Sequence, residues 1–561
     1  MRRLLSVACV AALVATFSLP AVAPDARTSA ASPPLLEKVI VRGATIHGSN
    51  GVAVDHAGRV LIASVWGQEI VALDRLTGRV LQRYGPMYKG VPIGTPDDVA
   101  VGPDGSIFWT DIMGGMVGRI DPAGAITKQA VAAFVNPLAF NAQGRLFVAQ
   151  AFQGDCLYEV DPALVSAPVK VMCGNGAPGF PQQLNGFDFG PDGYLYAPRP
   201  ALGQIVRIDV TTGALVVVAG QLPGNPSSVE FDGQGRLFAS LGQGAIVRVD
   251  TGTGAVTNVT TLPYGLDNMA FDARGSLYVS NSDDGHVDRV LPATGAHRQL
   301  VKGGLIAPSG IAVLPQPTGG DRLVIGDLWR VATCNGRSGR LVDLDPDFGA
   351  FGIAGALSIA PDGRNVIVTT WLAGVVQVWD PVANERLAVY DGFGTPLNAI
   401  RFGDDLVVAA LGPAPIVRQA PDGSRTPLGA GSLFVPTGLA ATADDLWAAD
   451  WATGIVWQLV KDGVTLSTPA FVAGGLAQPE GLAIDRDGSL LVVEAAAGRL
   501  TRIHPATGAT TVVASGLALG MPAATGAPPT WMFNGVAVGP KGDIYVTGDT
   551  AGVIYRFSPV P

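Results

Sequence analysis

The amino-acid sequence predicts an all-β protein built from one repeated four-stranded unit. Its 561 residues include 74 glycines and 42 prolines, a turn-rich composition that disfavours long helices. Short apolar segments alternate with tight turns, and the same arrangement recurs with a period of roughly 45 residues. Hydrophobic residues make up 48% of the chain and charged residues 15%, which excludes a disordered polypeptide.

The repeated unit is clearest near the start of the chain. Residues 50–55 form a predicted buried strand that leads into a tight turn, and residues 59–64 and 70–74 are the predicted second and third strands. A Thr-Gly turn then leads into a fourth strand. The first strands of the successive units begin near Val52, Val99, Leu138, Phe187, Val229, Met269, Ile311, Leu357, Ile400, Leu439, Leu482 and Val536.

Twelve four-stranded units of this kind predict the blades of β-propellers. Because one propeller ring closes with about four to eight blades, twelve units divide most simply into two tandem six-bladed propellers. A strand-like segment, Leu36 to Arg42, precedes the first unit, and the twelfth unit lacks a fourth strand. We expect Leu36 to Arg42 to complete blade six and His297 to Gly303 to complete blade twelve, so that each ring is closed by a borrowed strand and leaves no open sheet edge. The two propellers are therefore predicted to span residues 36–296 and 297–561.

The N-terminus has the layout of a secretory signal peptide. Arg2 and Arg3 precede an apolar run from Leu4 to about Leu19, and a stretch rich in proline and small residues follows. We therefore expect residues 1–31 to be a signal peptide with a short linker. The mature protein is predicted to be exported, to the periplasm or the extracellular space.

Removal of the signal peptide takes Cys9 and leaves three cysteines in a compartment that permits disulfides. Cys156 and Cys173 lie on two successive strand-like segments, where antiparallel pairing places them nearly opposite each other. This placement predicts a disulfide between them. Cys334 then remains as either a partly buried free thiol or a catalytic one.

Charge and hydropathy exclude two classes of partner. The formal net charge of -9 repels the phosphates of nucleic acids. No mature segment approaches the roughly 18 uninterrupted apolar residues of a membrane-spanning helix. We expect neither a nucleic-acid partner nor a membrane span.

Several units carry motifs of a known group of proteins. Asn50-Gly51-Val52-Ala53-Val54-Asp55, the unit that begins Thr95-Pro96-Asp97-Asp98 and the unit that begins Gln478-Pro479-Glu480-Gly481 resemble NHL repeats. They also resemble the gluconolactonase, senescence-marker and strictosidine-synthase group of six-bladed propellers. That group contains lactonases, lyases, a condensing enzyme and non-catalytic binding proteins, so the resemblance implies a fold more specifically than a chemistry.

In the lactonase branch of that group, a divalent cation, commonly calcium or zinc, lies at the mouth of the central channel. The resemblance implies ligands from an Asn-Gly, a Pro-Asp and a Glu-Gly segment, each at the start of an innermost strand. The corresponding oxygen-bearing candidates for calcium or another divalent cation are Asn50, Asp97, Asn185 and Asp267 in the first ring and Glu480, Asn534 and Asn398 in the second. The alternative is that these side chains cap turns and hold ordered water.

Further candidates lie in the loops at the same predicted mouths. Asp450 and Glu494 end second strands of the second ring and are candidate general bases, as are His47 and His286 in the first ring. Both histidines also fit ordinary exposed loop positions. Four tryptophans of the second ring are candidates for a ligand-binding rim, with packing between blades as the alternative: Trp329, Trp371, Trp451 and Trp531.

The function that we expect is a binding platform for a small organic molecule or a protein at a propeller face, with the more favourable pocket in the second ring. The alternative is a metal-dependent lactone or ester hydrolase. A lyase that uses a histidine and an acidic residue near His47 and His286 is a third hypothesis. The sequence contains no Gly-x-Ser-x-Gly elbow, His-Glu-x-x-His motif or phosphate-binding loop, so serine-hydrolase, zinc-protease and nucleotide-binding functions have no support.

Overall fold

A computed structural model describes residues 35–151, 154–174, 183–314, 316, 320–328, 330–345, 356–371, 373–429, 431–522 and 532–560. The predicted signal peptide, Trp329 and Trp531 lie outside these residues. The all-β prediction is confirmed: the strands of the described residues form twelve four-stranded antiparallel sheets and one two-stranded hairpin. The helices of the described residues are two single 3-10 turns, Pro200–Leu202 and Ala495–Ala497. No helix in this part of the chain has the length and apolarity needed to cross a membrane.

The chain divides into two compact units. Unit I is Ala44–Ile306, and unit II combines Met1–Gly43 with Ala307–Pro561. We number the sheets 1 to 12 in the chain order of their first strands. Sheets 1 to 6 belong to unit I and sheets 7 to 12 to unit II.

The strands of unit I follow one another within each sheet in chain order. Their bounds are Val52–Val54, Arg59–Ser64, Glu69–Asp74 and Val80–Tyr84 in sheet 1; Pro96–Val101, Ile107–Asp111, Met116–Ile120 and Ile126–Ala130 in sheet 2; Val135–Phe140, Leu146–Gln150, Cys156–Val160 and Val169–Cys173 in sheet 3; Asp188–Phe189, Leu195–Arg199, Gln204–Ile208 and Leu215–Ala219 in sheet 4; Pro226–Phe231, Leu237–Leu241, Ala245–Val249 and Val256–Thr261 in sheet 5; and Leu266–Phe271, Leu277–Asn281, Val287–Leu291 and Ala296–Val301 in sheet 6. The hairpin Met87–Tyr88 and Val91–Pro92 lies between sheets 1 and 2 in the sequence.

Unit II has the same order except in its last sheet. The bounds are Pro308–Leu314, Arg322–Asp327, Arg330–Asn335 and Leu341–Asp345 in sheet 7; Ala356–Asp362, Asn365–Thr370, Val375–Asp380 and Glu385–Tyr390 in sheet 8; Thr395–Phe402, Asp405–Leu411, Ile416–Gln419 and Arg425–Leu428 in sheet 9; Pro436–Ala441, Leu446–Asp450, Ile455–Lys461 and Val464–Ala473 in sheet 10; Pro479–Ile484, Leu490–Glu494, Arg499–Ile503 and Thr510–Ser515 in sheet 11; and Val536–Val538, Ile544–Gly548, Val553–Pro559 and Leu35–Val41 in sheet 12.

The apolar core lies between neighbouring sheets. Second strands such as Leu146–Gln150 and Leu490–Glu494 are buried at every position, because both of their faces are covered by adjacent sheets. Fourth strands such as Val80–Tyr84 alternate between exposed and half-buried residues and end on a buried one, as expected at an outer edge. Each hydrophobic cluster accordingly joins two sheets; one of them packs Trp109 of sheet 2 against Leu61 of sheet 1.

The first strands of the sheets contact one another in series. In unit I these contacts run from sheet 1 to sheet 6 and return from sheet 6 to sheet 1, and in unit II they run from sheet 7 to sheet 12 and return to sheet 7. The turns between the first and second strands follow the Pro-Asp-Gly chemistry expected from the sequence. Asp104 accepts a hydrogen bond from the backbone N–H of Ser106, and Gly105 adopts a φ of 83° that favours glycine.

The predicted exchange of strands is wrong. Leu35–Val41 pairs with Val553–Pro559 and completes sheet 12, whereas Ala296–Val301 pairs with Val287–Leu291 and completes sheet 6 from its own sequence. The surplus strand at the start of the chain therefore fills the vacancy at the end directly, and one borrowed strand covers the edge that would otherwise be open. As a result, Leu36 to Arg42 belongs to unit II, and the division between the units follows Ile306 rather than residue 296.

The predicted disulfide is confirmed. Cys156 and Cys173 are directly opposed in the two outer strands of sheet 3 and form a disulfide, while Cys334 is buried as a free thiol. Burial raises the pKa of the Cys334 thiol to about 12, which makes it a poor nucleophile at neutral pH.

Replacement of both Cys156 and Cys173 by serine is expected to destabilise unit I by about 3 kcal/mol, because the link restricts a loop of this length in the unfolded chain. Chemical denaturation monitored by hydrogen exchange in sheet 3 measures the effect. Cys334→Ser is the control for loss of a sulfur, and equal stability of the double variant and the wild type would contradict the prediction.

Candidate functional site

A cavity of about 320 Å³ lies within unit II, lined by residues at or beside the first strands of all six of its sheets. One end is polar, formed by Ser358, Asn398, Thr437 and Asn534. The middle is lined by apolar side chains such as Ile311 and Leu439. This volume is at the lower end of the range for small-molecule pockets, about 300 to 1,000 Å³.

The polar end is held by hydrogen bonds between neighbouring sheets. The Asn398 amide nitrogen donates to the carbonyl of Thr437 at 2.7 Å, and the Thr437 hydroxyl donates to the carbonyl of Pro479 at 2.7 Å. The Ser358 hydroxyl, by contrast, is buried without a hydrogen-bond partner. A buried hydroxyl in this state is available to a ligand that carries a polar group.

Glu480 and Asn534 form the centre of a buried network at sheets 11 and 12. Glu480 Oε2 accepts hydrogen bonds from the backbone N–H and the side-chain amide of Asn534, at 2.6 and 2.8 Å. Asn534 Oδ1 accepts the backbone N–H of Asp549 at 3.1 Å. Glu480 Oε1 and Asp549 Oδ1 are buried and have no partner. The sequence therefore identified Glu480 and Asn534 as neighbours, but the third member of the network is Asp549 rather than Asn398.

Burial controls the protonation of this network. It raises the pKa of Glu480 well above the ordinary value, and the adjacent Asp549 raises it further. Burial also raises the pKa of Asp549 to about 6, against the opposing effect of the Met521 backbone N–H. Burial and the neighbouring carboxyl thus favour the neutral form of Glu480.

Asp450 and Glu494, the predicted general bases, hold loops in place. The Asp450 carboxylate accepts hydrogen bonds from the backbone N–H groups of Phe434, Val435, Ala452 and Thr453. Glu494 is fully buried and accepts two hydrogen bonds from Arg499, at 2.7 and 2.8 Å, one from the Thr501 hydroxyl and one from the Ala477 N–H. Burial raises the pKa of Glu494, but the bonds from Arg499, Thr501 and Ala477 outweigh burial and leave it below the ordinary value.

The same arrangement recurs at the ends of other second strands. Asp111 accepts the N–H and hydroxyl of Thr95, and Asp327 accepts the N–H of Ala307. In each case the carboxylate fixes the loop that enters the first strand of its own sheet. A carboxylate at a predicted channel mouth can therefore serve to fix a loop. The sequence pattern alone does not distinguish this structural role from a catalytic one.

The metal-ligand candidates of unit I come from sheets 1, 2, 4 and 6. The Asn50 amide nitrogen donates to Asp267 Oδ2 at 2.9 Å, which joins two of them. Asn50 Oδ1, Asp97 Oδ2 and Asn185 Oδ1 are buried oxygens without a hydrogen-bond partner. Burial raises the pKa of Asp97 well above its ordinary value, and the nearby Asp267 and Asp98 contribute to the rise.

Sequence analysis missed a second layer of acidic side chains in unit I. The Asn268 amide of sheet 6 donates to Asp98 Oδ1 of sheet 2 at 2.9 Å, past the first strand of sheet 1. Gly51 permits this close approach, because a Cβ there would lie 2.5 Å from the Asp98 Cα. Asp188 and Glu230 lie on the first strands of sheets 4 and 5. Asp188 accepts a hydrogen bond from the backbone N–H of Phe231, and Glu230 accepts one from the backbone N–H of Phe271.

Burial raises the pKa of each carboxyl in this layer, to about 7 for Asp98 and about 6 for Asp188. Glu230 is raised well above its ordinary value by burial and then by Asp188. These residues lie one or three positions beyond the predicted mouth residues on the first strands. The period-2 alternation of side chains along a strand was therefore the signal in the sequence that could have identified them.

His47 and His286 belong to adjacent segments, since the Ser49 hydroxyl donates to the carbonyl of Gly285 at 2.8 Å. Burial lowers the pKa of His47, and Arg83 lowers it further. His286 is 1% exposed and lies between two carboxylates, with Nδ1 2.5 Å from Asp284 Oδ1 and Nε2 3.2 Å from Asp288 Oδ2. Burial lowers the pKa of His286, but the two carboxylates outweigh burial and raise it to about 9. His286 is therefore a charged structural group at neutral pH, rather than a base ready to accept a proton.

His286→Gln is expected to destabilise unit I by about 3 kcal/mol at neutral pH, the free energy that corresponds to the rise in pKa. In the wild type this contribution is fully present below pH 6.5 and is lost as the pH rises through about 9. Urea titrations of both proteins from pH 6 to pH 10 measure the difference. His297→Gln, at an exposed position, is the control, and a constant difference across that range would contradict the prediction.

The described tryptophans favour packing over a ligand rim. Trp371 is buried, and Trp451 is half-buried with its backbone N–H bonded to Val435. Neither is among the residues that line the cavity. The aromatic ring that does line it, beside Asn534, is Phe533.

Comparisons with known proteins find similar structures but no matching family. No protein-family model and no curated protein matches the chain. Virginiamycin B lyase from Staphylococcus aureus is 15% identical with a TM-score of 0.37, covering 52% of this chain and 95% of its own. A gluconolactonase from Xanthomonas campestris is 16% identical with a TM-score of 0.37, covering 44% and 87%. The extracellular domain of a one component system from B. thetaiotaomicron is 11% identical with a TM-score of 0.33, covering 91% and 76%.

These structural neighbours include a gluconolactonase, a member of the propeller group that the sequence motifs resemble. At such low identities and TM-scores they assign no substrate, activity or partner to this chain.

Proposed function

We propose that this chain is an exported binding protein made of two six-bladed β-propellers, and that the central channel of unit II holds a small organic molecule. The closed series of contacts between first strands supports a six-bladed ring in each unit. The signal-peptide pattern of residues 1–31 supports export.

The observation that carries the binding function is the cavity in unit II. Polar side chains gather at one end of a channel whose other side chains are mostly apolar, and the buried Ser358 hydroxyl has no hydrogen-bond partner among the described residues. A pocket with a few convergent polar groups among apolar walls binds organic molecules and fixes their orientation. In unit I, the corresponding first strands carry hydrogen-bonded acidic side chains instead.

A ligand screen with a cavity-filling variant tests this proposal. Ala483 lines the cavity and is half-buried, so Ala483→Leu places additional atoms in the channel. We expect compounds that raise the melting temperature of the wild type to lose about tenfold or more in affinity for this variant. Ala496→Leu, at an exposed position, is the control and should bind as the wild type does. Ligands that bind both variants equally would contradict a site in the channel.

A metal-dependent lactone or ester hydrolase is the second candidate function, favoured by the unpartnered oxygens of unit I. Among the described residues, no three His, Cys, Asp or Glu side chains form a metal-binding group. Asn50, Asp97, Asn185 and Asp267 nevertheless supply the amide and carboxylate oxygens that calcium prefers, so these residues fit a divalent cation. Such an ion, when bound, polarises a substrate carbonyl.

In unit II, Glu480 and Asn534 fit the same purpose less well, because Asn398 bonds to Thr437 rather than joining them. Metal analysis of the purified protein, combined with a lactone and ester screen, tests the enzymatic candidate. Asp97→Asn should remove both the bound metal and the turnover. Glu480→Gln should leave both unchanged if unit I holds the ion, and turnover without any bound divalent cation would contradict the candidate.

A further inference from the structure

The cavity of unit II carries one charged side chain, which nothing in the sequence patterns singled out. Among the described residues that line the cavity, Arg401 is the only ionisable one. It lies on the first strand of sheet 9, three positions beyond Asn398, which belongs to the polar end. Since a strand advances by about 3.3 Å per residue, the two positions are about 10 Å apart along the channel.

The guanidinium of Arg401 pairs with one carboxylate and hydrogen-bonds to Tyr390, and these contacts do not use all of its N–H donors. Its Nε lies 3.3 Å from both carboxylate oxygens of Asp362, at the end of the first strand of sheet 8, and Tyr390 lies beside it. Its side chain is 28% exposed, and that of Asp362 is 23% exposed. Because an arginine fork presents five N–H donors, this pairing leaves donors available to a second anionic group.

No acidic side chain is among the described residues that line the cavity. Ser358, Asn398, Thr437 and Asn534 are neutral. Glu480, which lies behind Asn534, is not among the cavity-lining residues, and its Oε2 accepts hydrogen bonds from the backbone N–H and side-chain amide of Asn534. The side chains between the two ends, such as Ile311 and Leu439, are apolar.

We propose that unit II binds an elongated organic anion, with a carboxylate on Arg401, an apolar body along the channel and a hydrogen-bonding group near Ser358. This inference rests on the proposed binding function and names the class of ligand. It requires that negative charge, not apolar character alone, determines affinity.

Calorimetric titration with three eight-carbon probes tests the charge requirement. Octanoate should bind at least about tenfold more tightly than octan-1-ol or octylammonium, because only the carboxylate makes charge-assisted hydrogen bonds to the guanidinium. Arg401→Met should remove this preference, and Arg401→Lys should retain most of it. Arg418→Met is the matched control, since Arg418 lies in the same sheet, pairs with Asp405 and is not among the cavity-lining residues.

The hydroxyl of Ser358 provides a second, independent readout. We expect 8-hydroxyoctanoate to bind more tightly than octanoate, and Ser358→Ala to remove that gain without affecting octanoate. Equal binding of octanoate and octan-1-ol, or unchanged octanoate binding by Arg401→Met, would overturn the anion inference but leave the channel as a binding site. Failure of all probes to bind also overturns it, while the Ala483→Leu screen separately decides whether the channel binds other molecules.

Discussion

A chain that begins at Gly43 is expected to lose the stability of unit II while unit I stays folded. Leu35–Val41 makes an antiparallel pair with Val553–Pro559. Its removal leaves six positions of Val553–Pro559 without a partner on that side. Each lost backbone hydrogen bond costs about 1 kcal/mol, and the buried contacts of Val41 and Val39 are lost as well. A total on the order of 5 kcal/mol or more is comparable to the entire stability of many domains. The exposed edge also favours aggregation.

Hydrogen exchange followed by mass spectrometry locates the effect. Protection should fall in Val553–Pro559 and in the rest of sheet 12, whereas Val287–Leu291 of sheet 6 should keep its protection, because Ala296–Val301 covers it. The arrangement predicted from the sequence gives the opposite result, because there the N-terminal strand completes sheet 6. Loss of protection in Val287–Leu291, the strand that the N-terminal strand would pair with in that arrangement, would therefore refute the pairing seen in the structure.

Two point variants separate strand pairing from simple shortening of the chain. Val41 is 4% exposed and Leu36 is 63% exposed in the same strand. Val41→Asp should destabilise unit II by about 3 kcal/mol or more, because it buries an unpaired charge. Leu36→Asp should change stability by less than about 0.5 kcal/mol. Equal effects of the two variants would show that the strand does not bury one fixed face.

The repeated units were predictable because each carries the same local physics. Alternating apolar residues and Asp-Gly turns specify strands and hairpins from neighbouring residues alone, as the Asp104 turn shows. The disulfide between Cys156 and Cys173 was predictable for the same reason, since both partners lie in one hairpin. Pairing between the two ends of the chain is different. Nothing local to Leu35–Val41 distinguishes the edge of sheet 6 from that of sheet 12, so the choice depends on which sheet is already complete.

The candidate site shows the same limit. Sequence position placed Asp450, Glu494 and Glu480 together at a predicted channel mouth, but it did not reveal their partners. Backbone N–H groups engage Asp450, and Arg499 engages Glu494, whereas Glu480 keeps one oxygen unpartnered. These differences depend on contacts between sheets and loops, which a pattern of single residues does not encode.

Arg401 and Asn268 are further examples. Arg401 follows an ordinary strand pattern, and it becomes the charged group of a cavity only because residues of six sheets line the same space. Asn268 reaches Asp98 across an intervening sheet, through space that exists because Gly51 has no side chain. The repeat predicts that such residues share a level of the channel, but not which of them are in contact.

Arg499→Met is expected to destabilise unit II by about 3 to 5 kcal/mol, the usual cost of leaving a buried carboxylate without its cationic partner. Glu494 is fully buried, and Arg499 supplies two of its hydrogen bonds. Glu494→Gln combined with Arg499→Met should recover part of the loss, because the neutral amide no longer carries a buried charge. Arg364→Met, which removes an exposed partner of Asp380, should cost no more than about 1 kcal/mol.

The pH dependence of this effect follows from the pKa of Glu494. Since the Arg499, Thr501 and Ala477 bonds outweigh burial and hold that pKa below 4.5, the stabilisation is present at neutral pH and is lost as the pH falls below about 4.5. Denaturant titrations at pH 7 and pH 4 should show a smaller difference between wild type and Arg499→Met at the lower pH. The general-base hypothesis makes a different prediction, in which Glu494→Gln abolishes turnover and leaves stability unchanged. Because the Glu494 carboxylate holds the loop at Ala477, we expect Glu494→Gln to lower the free energy of unfolding of unit II.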